Sequence, residues 1–369
     1  MSIINFLSRL KELDIKVEVV EDKLKINAAQ EKLTDDLVSE IKAKKGEIIR
    51  FLQDRIHGQS RYSAVPSSED KLYYRLSSQQ KRLYFLHQLN PDVTVYNVTQ
   101  AIRLDGDISR TSIEKIFIKL IKRHESLRTS FVIIDEEPVQ RVHERVDFSV
   151  EYYEAGVPEL EQIVKGFSRP FDLSRAPLLR AAMVNGGPSD KLLLLELHHI
   201  ITDGTSIDIL TQDFTALNKR EALPRLRLHY RDYAEWQNSF EQQELLKKEQ
   251  AYWLKTFSDE LPVLNLPTDY PRPIIQNFEG DRVYFTLNED QGRTLQDAAK
   301  EAGATLHMSI LAVFAVLLSR LSGQEDIIIG IPIAARRHME LENIIGMFVN
   351  TLAIRNFPGG GKGFKEFLH

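Results

Sequence analysis

Residues 192–204 read Leu-Leu-Leu-Leu-Glu-Leu-His-His-Ile-Ile-Thr-Asp-Gly, and no other stretch limits the fold as tightly. The first half is a short apolar run of strand length, which predicts a buried strand. Thr202-Asp203-Gly204 then breaks the pattern as a turn. Beyond it Ile207, Leu210, Phe214 and Leu217 recur at helical spacing, with Thr205 and Ser206 as candidate N-caps. Two histidines therefore stand where a buried strand runs out and a helix begins. Adjacent side chains on a strand point to opposite faces, so one of His198 and His199 is expected to be packed and the other presented. Taken singly, such histidines are more often satisfied core residues than catalysts.

Composition narrows the classes. The chain has 369 residues, 43% of them hydrophobic, enough for a sizeable core and two or three domains. A net charge of −5 argues against a nucleic-acid binder, which carries a basic footprint. With no cysteine there is no disulfide, thiolate nucleophile or thiolate metal site. The N-terminus lacks a basic region followed by a sustained apolar run, so no signal peptide is expected. The longest apolar stretch, near Ile310–Leu318, is too short to span a bilayer. The expectation is a soluble cytoplasmic protein, with neither nucleic acid nor membrane as partner.

Along the chain, residues 2–14 form a helical pattern. Val17–Val20 and Leu24–Asn27 form a hairpin around Glu21-Asp22-Lys23, and Thr34-Asp35-Asp36 opens a second helix lined by Leu37, Ile41, Ile48 and Leu52. Residues 57–70 turn to Gly, Ser, Pro and charge, a linker. Helices are predicted at Ser77–Leu86 and Ile113–Ile121, and a strand at Phe131–Ile134. The proline-rich Leu261–Pro273 reads as an extended connector. Past it the pattern predicts strand Arg282–Leu287, helices Glu289–Ala302 and Met308–Leu321, and strand Asp326–Ile331. Alternating strands and helices on both sides of a connector favour a mixed α/β (α+β) fold with two lobes.

Familiar site types fail on their residues. There is no Gly-x-Ser-x-Gly elbow, and Gly359-Gly360-Gly361-Lys362-Gly363 lacks the loop spacing and the Ser or Thr of a P-loop. A metal at His199 and Asp203 would need further ligands that the sequence does not place. Asp203 by itself reads as a base, a ligand or a strut. A carboxylate at a buried strand end needs a cation, and Arg128 is the expected partner. His124, in Arg123-His124-Glu125, reads as a packed helix-end residue.

Residues 1–56 resemble the tubulysin-type (TubC) N-terminal docking domain of assembly-line synthetases, through the leading helix, the hairpin and Leu33-Thr34-Asp35-Asp36-Leu37. From residue 71 the chain closely resembles the condensation domain of nonribosomal peptide synthetases, in the chloramphenicol acetyltransferase-like superfamily. Five motifs stand in family order: Ser77–Leu86, Arg123–Phe131, His198–Gly204, Tyr230–Trp236 and Ile345–Arg355. Gln79 and Tyr84 depart from the Ala and Trp often found in the first. That ordered set is what raises the His-His string above a pair of core residues.

The resemblance implies a docking domain at 1–56, a linker at 57–70, a first lobe at 71–260 and a second lobe at 261–369. The two lobes form a V with the active site at the centre of a tunnel. It implies an enzyme that forms an amide bond between a carrier-bound acyl or peptidyl thioester and a carrier-bound aminoacyl amine. His199 is then catalytic, His198 packed, and Asp203, Gly204 and Arg128 structural, with Gly204 letting the backbone pass close to the site. Asn350 is implied to face the tunnel. No cofactor is held, since both substrates ride on the 4'-phosphopantetheine of upstream and downstream peptidyl carrier domains. A downstream adenylation domain is implied as a further partner. The docking hairpin, with Lys23, Leu24, Lys25 and Ile26, is expected to take the acidic C-terminal tail of an upstream subunit by strand addition. The family's last two motifs would follow the fifth, and the chain stops at His369, so the second lobe is expected to be truncated. The alternative is therefore an interaction fragment without activity. Heterocyclising relatives carry an aspartate pattern in place of the two histidines, and epimerising ones normally follow a carrier domain. A free-standing acyltransferase would not need residues 1–56.

Overall fold

The computed structural model describes residues 10, 15–20, 23–28, 35–48, 64–104, 106, 108–154, 157–186, 191–274 and 280–368. The expected helix over 2–14 (Leu10 apart), the Thr34 cap, Leu52 and residues 57–63 lie outside that set. The chain divides into two compact units, one made of 64–259 with 332–352, the other of 260–331 and 353–369 grouped with 1–63.

In the N-terminal segment, strands β1 (Lys16–Val20) and β2 (Lys23–Asn27) pair antiparallel, with Val17 opposite Ile26 and Glu18 opposite Lys25. Lys23 belongs to the second strand and not to the turn. Half-buried Val17, Leu24 and Ile26 pack on a small core of Leu10, Ile15, Leu37, Ile41 and Ile48. Leu37 and Ile41 come from helix α1 (Asp35–Ala43). Lys25 points to solvent.

The unit around 64–259 is built on two sheets. One is β3 (Tyr74–Arg75), β6 (Glu137–Val142) and β5 (Thr129–Ile134), in that spatial order. The other runs β4 (Asn97–Leu104), β9 (Lys191–His198), β8 (Leu179–Asn185), β7 (Val150–Glu154). Only β7 and β8 are parallel among these pairs, and helix α4 (Val157–Phe167) forms their crossover, as a parallel pair requires. Helix α2 (Ser78–Leu89) opens on a capping box of Ser77 and Gln80. Helix α3 (Arg110–Arg123) buries Ile113, Ile116, Phe117, Leu120 and Ile121, spaced to make one stripe.

The predicted central strand is β9, between β4 and β8, and it is covered on both faces. Leu193, Leu195 and Leu197 enter the main core with the α3 stripe and with Ile209 and Leu210 of helix α5 (Gly204–Asn218). Leu194 faces a second cluster with Phe167, Ala182 and Val184. Burial on both sides explains why the run is continuous instead of alternating. Glu196 is fully buried within it because Arg180 (2.9 Å), Asn97 and Thr99 satisfy its carboxylate. Helices α6 (Tyr230–Gln237) and α7 (Phe240–Thr256) follow.

In the second unit, helix α8 (Glu289–Glu301) starts on an Asn288–Gln291 capping box. Helix α9 (Leu306–Ser322) ends at Gly323, whose φ of 70° is the left-handed stop that glycine allows. Strands β10 (Ile327–Ile333) and β11 (Asn350–Asn356) pair with each other, and helix α10 (Phe364–Leu368) follows. The strand expected at Arg282–Leu287 does not form. Val283, Tyr284 and Phe285 are exposed there, and among the described residues no neighbouring strand takes their backbone groups. Residues 332–352, which a linear division at 261 assigned to the second lobe, cluster with the first unit. Among the described residues no single helix is long and apolar enough to cross a membrane.

Candidate active site

The site begins where β9 ends. The strand's last residue, His198, is 1% exposed, and its Nδ1 accepts the Ile200 N–H at 3.1 Å. That bond starts a short 3-10 turn, His199–Ile201. The His198 ring is packed edge-on against His87 at 5.3 Å and Phe171 at 6.2 Å. Burial, then the neighbouring His87 and His199, lowers its pKa to about 3, so it is neutral at ordinary pH.

His199 is half-buried and tied at both ends. Its backbone N–H donates to Tyr96 O at 2.7 Å, and its Nδ1 lies 2.8 Å from Thr202 O. A carbonyl oxygen can only accept, so Nδ1 carries a proton, and in the neutral ring the lone pair is then on Nε2. Among the described residues Nε2 has no partner. His198 is therefore the packed one and His199 the more exposed, but the difference arises because the strand ends at 198 and the 3-10 turn begins at 199, not from alternation along one strand.

Asp203 is a strut. It caps α5 by accepting Ser206 N–H at 2.8 Å, which displaces Thr205 and Ser206 from the expected capping role. Its Oδ1 also accepts Ser206 Oγ (2.7 Å) and Arg336 Nη2 (2.9 Å), and Oδ2 accepts Phe348 N–H (3.1 Å). Both carboxylate oxygens are thus engaged, by four donors in all, which ties Asp203 into the surrounding backbone and to Arg336. The cation is Arg336, not Arg128. Arg336 is 133 residues away, stacks over Phe348 at 4.0 Å and is 5% exposed. Arg128 instead pairs with Glu125 at 3.3 Å and donates to His143 O. The nearer cation in the motifs loses because Glu125 sits three residues from it on the same short turn.

Ser206 and Tyr230 extend the strap. Ser206 Oγ accepts Gly346 N–H at 3.0 Å, and Tyr230 OH meets Ser77 Oγ at 2.8 Å and donates to Met347 O. This is what holds 332–352 in the first unit. Gly346 is required by space: a Cβ there would lie 1.8 Å from the Tyr230 ring. Gly204 is not. It is the first residue of α5, its φ is not positive, and a Cβ would meet nothing within 4 Å. Asn350 accepts from Arg82 at 3.4 Å and from the Thr351 N–H at 3.0 Å. Arg336, Ser206 and His87 carried no catalytic signal in the sequence. The one trace of Arg336 in the sequence is its place in an Arg-Arg pair at 336–337, shortly before the fifth motif.

The candidate site is thus an imidazole fixed by its Nδ1 at the end of a buried strand, with Nε2 unpartnered among the described residues. Residues 71–369 match the model of the Condensation domain family and residues 3–54 that of the TubC N-terminal docking domain. The chain belongs to the condensation-domain family of nonribosomal peptide synthetases, with a TubC-type docking domain in front. Bacitracin synthase 2 of Bacillus licheniformis is 43% identical over 370 residues, covering 100% of this chain and 14% of that protein. Tyrocidine synthase 3 of Brevibacillus parabrevis is 47% identical over 307 residues, 83% of this chain and 5% of that one. The chain thus spans a small part of these curated relatives. The fold is also that of the EpoB cyclization-docking bidomain of Sorangium cellulosum, with a TM-score of 0.70 at 20% identity, covering 100% of this chain and 76% of that one.

Proposed function

We propose that this chain is the amide-forming part of a nonribosomal peptide synthetase, with His199 as its catalytic residue. The amine of an aminoacyl group on a downstream carrier attacks the thioester carbonyl of an upstream carrier's acyl or peptidyl group. The C–N bond forms, the tetrahedral intermediate collapses, and the C–S bond breaks to free the carrier thiol. An α-amine titrates near pKa 8, so about a tenth is already free base near neutrality. His199 Nε2 therefore serves to orient the amine and to accept its proton once the intermediate forms, passing it on to the departing sulfur. The observation that carries this is the Nδ1 bond to Thr202 O, which puts the lone pair of the neutral ring on Nε2, unpartnered among the described residues. Both acyl groups arrive on 4'-phosphopantetheine of partner carriers, and the whole protein works in the cytoplasm beside its adenylation domain.

The hairpin is the port for an upstream subunit. Among the described residues no third strand pairs with either of its two strands, so an extended peptide could add at an edge, with exposed Lys25 favouring an acidic tail. The catalytic reading is tested by transfer between two loaded carriers. In the full synthetase His199→Ala should abolish dipeptidyl transfer and leave the melting temperature unchanged. Retained transfer would overturn it.

A further inference from the structure

The end of α3 and the loop before α6 line an open cavity of about 760 Å³ whose lining includes neither His199 nor Asp203. Its wall is cationic. Lys119 and Lys122 reach it from the last turns of α3, and Arg225 from the loop. Two carboxylates share the lining, and both are already engaged. Glu125 meets Arg231 at 3.1 Å and Arg128 at 3.3 Å, while Asp232 accepts from Ser68 and from the His229 N–H. Arg123 is tied to Asp213 at 2.8 Å, and Arg227 to Glu340. Lys119, Lys122 and Arg225 are exposed, and none has an ion-pair partner among the described residues.

Three uncompensated cations around one concavity, in a chain of net charge −5, focus a positive potential there. Leu217, Leu223 and Leu226 give the same cavity an apolar side. Its volume falls within the roughly 300–1,000 Å³ of small-molecule sites, far more than a lone phosphate needs. We propose that this cavity binds a phosphorylated small molecule of nucleotide size, its phosphates on Lys119, Lys122 and Arg225 and its apolar or aromatic part against the leucines. Guanidinium and ammonium groups hold phosphate oxygens by charge-assisted bonds, and Arg225 can do so in bidentate fashion. Ser67 completes the rim, on a segment fixed by Arg227 to Val65 O (3.0 Å) and by Asp70 to Arg231 (2.9 Å). A ligand in the cavity would thus touch the stretch that leads in from residues 1–63.

The test titrates ADP, pyrophosphate and adenosine into the 369-residue chain by calorimetry, with backbone amide shifts to locate the contact. ADP is expected to saturate one site, pyrophosphate to bind more weakly and adenosine not detectably. Shifts should centre on Ser67, Lys119 and Lys122, and affinity should fall as salt rises. Lys119→Glu with Lys122→Glu and Arg225→Glu should weaken ADP by about tenfold or more, at unchanged melting temperature. The proposal fails if neither ADP nor pyrophosphate binds saturably, or if adenosine binds as well as ADP. Equal affinity in the triple variant, or shifts confined elsewhere, would also overturn it.

Discussion

His198 and His199 differ in what their Nδ1 atoms meet: an N–H donor at Ile200 for one, a carbonyl acceptor at Thr202 for the other. The first therefore carries its proton on Nε2 and the second on Nδ1. His198 also carries a stability signature. Its folded-state pKa of about 3 lies below the ordinary 6.5, so between those values the unfolded chain binds a proton that the native state refuses. The stability this residue contributes is complete above pH 6.5 and is lost as pH falls toward 3, at a slope of about 1 kcal/mol per pH unit. Burial pushes His87, His124, His143 and His229 the same way. His198→Phe should accordingly flatten, but not abolish, the fall in denaturation midpoint between pH 6.5 and 4, read by urea melts. At neutral pH, His198→Ala should cost about 1–3 kcal/mol, since it orphans the Ile200 N–H inside the core.

Among interactions between elements, the Asp203–Arg336 pair is decisive. Asp203 is fully buried and Arg336 nearly so, and together they join the start of α5 to the segment before β11. Removing one partner leaves a stranded charge, worth roughly 3–5 kcal/mol. Arg336→Met or Asp203→Asn should each approach that loss, and the double variant should lose less than their sum. Additive effects would show that the two are not coupled. Arg128→Met, outside the pair, should show no such coupling to Asp203→Asn. The packing of Tyr230 on Gly346 makes a second prediction. Gly346→Ala must displace the ring, at a cost of about 1–3 kcal/mol, while Gly204→Ala should be tolerated. Thermal melts of the two variants separate a glycine required by space from one that is not.

At the scale of the whole molecule, the proposed docking role would have the hairpin link this chain to another. Leu24 and Ile26 pack on the small core while Lys25 is exposed, the position from which it would read charge on an added strand. An acidic tail peptide should shift the amides of Leu24–Asn27 in a salt-sensitive way. Lys23→Glu with Lys25→Glu should weaken it; unchanged affinity would rule out strand addition as the mode.

Local pattern was enough for the elements whose burial is one-sided or complete along the chain. The α3 stripe, the buried run of β9 and the helix after it all follow from periodicity, because each needs only its own residues to declare which face is apolar. Strand alternation said only that one of the two histidines would be packed; which one came from the family resemblance, carried by five ordered motifs. What tertiary structure alone decided was who meets whom at long range. Arg336 took the place expected of Arg128 because Glu125, three residues away, already held Arg128, and only the folded chain brings residue 336 to residue 203. Arg282–Leu287 has a strand's pattern but no strand, since a ladder needs a neighbour that no sequence window contains. The tautomer of His199 rests on where the Thr202 carbonyl points, and the cationic cavity on loops that meet only in space.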